Sequence, residues 1–279
     1  MSYQTILVHV DASQRTLERI KLAANMAISG NAHLVGTAAT GISELFYMPG
    51  AVGESTVQLG DFLDFLEERA SNALVAFEST AQKMGVSSFE KRVTNDEAGV
   101  GISMEARYSD LVVIGQHAPD DPSPALMSDF PEYVVMHSGR PVLIIPNVGQ
   151  FDGVGKKVII AWDASMEAAR AVTAAIPLLQ QAQAVQIVIF NSSQDSKAHG
   201  ELPGADIALY LARHDIKVEV LQQTTTALIG EALLSHAVDC GADLIVMGCY
   251  AHSRFREVLL GGVTHTILKS MSIPVLMAH

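Results

Sequence analysis

Ile6-Leu7-Val8-His9-Val10-Asp11-Ala12-Ser13 returns later in the chain as Val158-Ile159-Ile160-Ala161-Trp162-Asp163-Ala164-Ser165. Each is an apolar run ending in Asp-Ala-Ser, as expected of a strand covered on both faces and followed by a helix start. Two further runs repeat. Asp110-Leu111-Val112-Val113-Ile114-Gly115 matches Asp243-Leu244-Ile245-Val246-Met247-Gly248, and Pro141-Val142-Leu143 matches Pro274-Val275-Leu276. The chain therefore holds two copies of one α/β unit, and the differences between them bear on which copy works.

Asp11 to Asp163 is 152 positions, whereas Gly115 to Gly248 is 133, so the first copy has 152 − 133 = 19 extra residues between its first and fourth strands. Most are expected in 41–60, a stretch with Met48-Pro49-Gly50 that suits a long surface loop or lid. In the first copy, helices are expected over 13–29, 61–83, 97–108 and 129–137, alternating with strands over 5–10, 32–39, 86–94, 111–115 and 141–145. After a Gly-rich linker at 146–155 the order repeats. The boundaries expected are 1–149 and 150–279, each a doubly wound, five-stranded parallel sheet of order 3-2-1-4-5 with right-handed crossovers.

With 279 residues, each copy is long enough to bury a core. Hydrophobic residues make up 49% of the chain and the formal net charge is −12. No Lys/Arg run is present, which argues against nucleic acid and anionic membranes as partners. The N-terminus lacks a basic leader and no stretch is long enough to span a bilayer, so the expected location is cytoplasmic. Cys240 and Cys249 suit reduced thiols better than a metal knuckle or redox pair.

Ligands of doubly wound sheets bind outside the strand carboxyl ends where the strand order reverses, here between strands one and four. Asp163 closes strand one of the second copy, and Met247-Gly248 closes its strand four. The loop that follows bears Ala251, His252, Arg254 and Arg256 and ends in Gly261-Gly262-Val263-Thr264 before an amphipathic helix. Backbone N–H groups and the helix dipole there would stabilise a phosphate. Plain turn and cap chemistry explains the same glycines, and Asp163 could simply cap the helix near Ser165.

These motifs resemble those of the universal stress proteins in their tandem two-domain form, over essentially the whole length. The resemblance implies a Rossmann-like fold and, in the second copy, an ATP site, with AMP or ADP as variants and Mg²⁺ held only through the nucleotide. The family's phosphate loop, G-x2-G-x9-G-[S/T], falls on Gly248, Ala251, Gly261 and Gly262, so two of four positions depart from it. By resemblance, Asp163 would bond the adenine edge, with Ala161, Trp162 and Tyr250 nearby. Met247 and Gly248 would line base and ribose, and Ala251, Gly261, Gly262, Val263 and Thr264 would face the phosphates, with His252 flanking that site and Arg254 supplying positive charge from the same loop. The missing hydroxyl at Gly262 predicts weakened binding. The two copies are expected to pack as a pseudo-dimer, with a further homodimer possible.

The first copy departs further. After Gly115, three prolines remove N–H donors, and Asp120, Asp121, Asp129 and Glu132 would repel a triphosphate, although Asp11 could still hold a base or another small molecule. No nucleophile-base pair, Walker lysine or carboxylate cluster indicates catalysis. His9 is expected to be a satisfied core histidine, and Trp162 suits either core or an adenine platform. The function expected is a non-catalytic adenine-nucleotide sensor or adaptor in a stress response. The alternatives are a nucleotide-free interaction scaffold and a slow hydrolase using His252 or His265.

Overall fold

The computed structural model describes residues 2–41, 56–117, 129–191, 202–250 and 262–279. Two compact units form, Ser2–Arg140 and Pro141–His279.

The first contains β1 (Thr5–His9), α1 (Thr16–Gly30), β2 (His33–Ala39), α2 (Thr56–Met84), β3 (Phe89–Thr94), α3 (Ala98–Glu105), β4 (Leu111–Gly115) and α4 (Phe130–His137). Its strands are parallel in the order β3-β2-β1-β4. The second contains β5 (Val142–Ile145), β6 (Lys157–Ala161), α5 (Met166–Leu179), β7 (Ala184–Phe190), α6 (Ala205–Ala212), β8 (Glu219–Gln223), α7 (Ile229–Asp239), β9 (Leu244–Gly248), α8 (Val263–Ser270) and β10 (Val275–Ala278). There β8-β7-β6-β9-β10 are parallel, which is the expected order 3-2-1-4-5.

β5 also pairs antiparallel with β10, Ile144 opposite Val275, and falls in the second compact unit. The two compact units divide between Arg140 and Pro141. Most of the expected loop at 41–60 lies outside the described residues, but 56–60 already belong to α2.

β4, β5, β9 and β10 are almost wholly buried, while β3 and β8, each at an edge of its own sheet, alternate with polar residues. On β3, Arg92 pairs with Glu90 and Glu105 and Lys91 pairs with Glu78, a charged edge that discourages further strand pairing. The repeated aspartate before strand four has a structural task in both units. Asp110 Oδ2 accepts the Gln4 and Thr5 N–H groups at 2.7 and 3.0 Å. Asp243 does the same for Lys156 and Lys157 at 2.9 and 2.8 Å. Each carboxylate thereby ties the start of strand one to strand four and sets the two carboxyl ends level.

Candidate functional site

In the second unit the order reverses between β6 and β9, whose last residues lie side by side, Ala161 paired with Met247. A cleft of about 190 Å³ opens there, far larger than one water needs. Ala161, Trp162 and Asp163 form one wall, and Met247, Gly248 and Tyr250 another. Val188 and Phe190 of β7, Ile229 and Leu233 of α7, and Val263 and Thr264 of α8 complete the lining.

Asp163 is exposed. Its Oδ1 accepts the Ser165 N–H at 3.0 Å across a turn in which Ala164 takes φ 61°. Ser165 then caps α5, its Oγ accepting the Ala168 N–H at 3.1 Å. The aspartate thus shapes the turn with one oxygen, and no described residue bonds the other. Gly248 is required by close approach. A Cβ there would lie 2.6 Å from Ala168 N and 2.8 Å from the Glu167 carbonyl carbon, so only glycine lets β9 end against the first turn of α5. Beyond it, Tyr250 takes φ 55° and donates its N–H to Thr264 Oγ1 at 3.3 Å. Thr264 is buried and its hydroxyl is committed to this turn as an acceptor, its proton remaining available. Gly262 is the N-cap of α8, whose first N–H groups have no helical partner.

Eight of the residues singled out in sequence, Ala161, Trp162, Asp163, Met247, Gly248, Tyr250, Val263 and Thr264, therefore surround one cleft. Ala251, His252, Arg254 and Gly261 lie outside the described residues. Val188, Phe190, Ile229 and Leu233 were not foreseen. The strand register held the clue for β7, because Val188 pairs with Ala161. Trp162 is half-buried and faces the cleft.

At the matching place in the first unit stands a side chain of the unit's own. Arg19 of α1 is 2% exposed. Its Nη2 donates to Asp11 Oδ1 at 2.8 Å and to Thr16 Oγ1 at 3.1 Å, and its Nε donates to the His9 carbonyl at 2.7 Å. Ser13 adds its N–H and hydroxyl to the same carboxylate oxygen. Burial alone would raise the Asp11 pKa, but the Arg19 charge, His9 and the Ser13 donors together hold it well below the usual carboxylate range. Asp11 is thus engaged by its own chain, which corrects the expectation that it could hold a base. His9 is buried, with its ring 5.0 Å from that of Phe130. Its Nδ1 makes no hydrogen bond and lies 3.7 Å from Asp11 Oδ2, so the satisfied histidine expected there is only half realised. Burial pushes its pKa down to about 4, against the smaller upward pull of Asp11.

The sequence pattern of the universal stress protein family matches residues 2–146 and again 155–279. The chain belongs to the universal stress protein family. A universal stress protein of Synechocystis sp. is 29% identical over 147 residues, 52% of this chain and 49% of that relative, so the match spans about half of its length. The crystal structure of a universal stress protein from Archaeoglobus fulgidus is 18% identical, covers 98% of this chain and 95% of its own, and overlays with a TM-score of 0.73. A universal stress protein solved in complex with cAMP is 22% identical over 52% of this chain and 97% of its own, with a TM-score of 0.36.

Other histidines of this universal stress protein have structural partners. His236 bonds Gln186 and Gln223, and His137 stacks on Tyr133. His265 is exposed on α8 and does not line the cleft. Among the described residues, no group of three or more His, Cys, Asp or Glu side chains could hold a metal, and no helix is long and apolar enough to cross a membrane.

Proposed function

We propose that the second half binds an adenine nucleotide, with ATP the physiological form, and that the protein acts by binding, as a stress-response sensor or adaptor rather than a catalyst. One observation carries the reading: an unengaged Asp163 carboxylate oxygen stands at the mouth of an apolar slot formed by Val188, Phe190, Ile229, Leu233 and Met247. A flat apolar base with an exocyclic amine fits that pairing, its faces desolvated by the slot and its N–H donated to the carboxylate. The α8 N-terminus, with Gly262, Val263 and Thr264, suits the negative end of the same ligand. Any Mg²⁺ would come with the phosphates.

The test is mass spectrometry of small molecules released from freshly purified protein, followed by calorimetric titration with ATP. One nucleotide per chain is expected, with binding weakened roughly tenfold to a hundredfold in Asp163→Ala, the loss of a hydrogen bond to a charged acceptor. An empty protein that gives no heat with ATP would refute the reading and leave an interaction scaffold.

A further inference from the structure

The two halves place side chains of different size at three matching positions. Eight residues after the strand-one aspartate stands Arg19 in the first half and Ala171 in the second. The last residue of strand one is His9 or Ala161. The first residue of the helix before strand five is Phe130 or Val263. Arg19, His9 and Phe130 are each at most 3% exposed, so all three fill interior space. In the second half their small counterparts Ala161 and Val263 line the open cleft. In the first half a pocket of about 40 Å³ lies between the starts of α3 and α4 beside Phe130.

Arg19 behaves in this space as a bound molecule would. Its guanidinium is planar and always charged, with donors in a fixed fork. One edge meets Asp11 and Thr16, the Nε meets the end of β1, and Nη1 lies against Gly115 so closely that a Cβ at that glycine would collide with it. Gly115 and Gly248 close matching strands yet are needed for different reasons: the first makes room for a guanidinium, the second for the backbone of α5.

We propose that Arg19 is a built-in occupant of the first-half crevice, and that shortening it converts the crevice into a binding site for a small planar cation of the guanidinium class. The Asp11 turn of the first half is then held by a guanidinium that the chain itself supplies. Only the equation of the second-half cleft with a ligand site rests on the nucleotide reading; the geometry around Arg19 stands without it.

The experiment is thermal unfolding of full-length Arg19→Ala in millimolar guanidinium chloride, far below denaturing concentrations, against equal sodium chloride. The variant's midpoint should fall by roughly 10 °C, because a buried carboxylate loses its partner. Guanidinium should restore part of that loss saturably, sodium should not, and wild type should show no such gain. If Arg19→Ala does not fold unaided, recovery of its circular dichroism on adding guanidinium is the same readout, and failure to recover overturns the proposal. So does a variant as stable as wild type, or one on which both salts act alike. Asp11→Asn/Arg19→Ala removes the buried charge and should lose the guanidinium effect; if the effect persists, the ion binds elsewhere and the proposal falls. No nucleotide enters this assay, so its failure and that of the Asp163→Ala test are separate results.

Discussion

Mild acid should destabilise the first half through His9. A folded-state pKa of about 4 against an ordinary 6.5 means that the unfolded chain takes up the proton first. The stability contributed by a neutral, buried His9 is therefore complete above pH 6.5 and lost as pH falls toward 4. Between pH 7 and pH 5 the linkage amounts to about 2 kcal/mol for this one group, a sizeable part of the ~5–15 kcal/mol by which a domain is stable. With a urea slope of ~2 kcal/mol per molar, the midpoint should move by about 1 M. Far-UV circular dichroism follows both halves, while the single tryptophan, Trp162, reports the second alone and serves as an internal reference. His9→Ala, which installs the residue found at position 161, removes the titrating group. The variant starts less stable because Phe130 loses its ring contact, yet its shift between pH 7 and pH 5 should shrink by about that 1 M. An undiminished shift would show that His9 is not the group responsible.

Three other substitutions bear on the second half. Gly248→Ala puts a Cβ against the α5 backbone, which has no rotamer to escape into; a loss of ~1–3 kcal/mol in urea unfolding is expected, together with weaker ATP binding. Asp243→Ala frees two N–H groups at the start of β6 and should cost about 1–2 kcal/mol, discounted for partial exposure, with faster hydrogen exchange at Lys156 and Lys157. Gly262→Ser supplies a preferred N-cap residue for α8 and a hydroxyl at the proposed phosphate end, so calorimetry should find ATP bound more tightly; unchanged or weaker binding would mean that the α8 start does not face the phosphates.

The strand ends were legible in sequence because buried parallel strands are uninterrupted apolar runs, and Asp, Ser and Gly at their ends mark the turns. The pairing of Asp163 with Met247-Gly248 followed from the sheet order alone. Other features depend on reach across the fold. Arg19 sits in a helix where a charged residue suggests solvent, and only Asp11, Thr16 and the His9 carbonyl converging on one guanidinium explain its burial. Asp110 and Asp243 stood out merely as repeated letters, since their partners are backbone groups, which have no sequence identity. The early start of α2 and the antiparallel β5 likewise depend on tertiary contacts that no local pattern records.

Repetition of the strand-one aspartate is therefore a poor guide to which half binds. Asp11 and Asp163 occupy the same turn, and each accepts the N–H of the serine two residues on. The next shell decides their chemistry: a guanidinium completes Asp11, whereas the small Ala171 eight residues after Asp163 leaves that carboxylate without such a partner. A buried carboxylate must be compensated, and the compensation can come from the chain or from a ligand. Where the chain supplies it, as at Asp11, folding itself completes the pairing. Where the carboxylate stays exposed above an apolar slot, as at Asp163, the proposed donor ligand would bury both groups together, and its binding would stabilise the folded half by mass action. In a duplicated α/β chain, the sizes of the residues facing the switch point thus discriminate better than the motif that marks it.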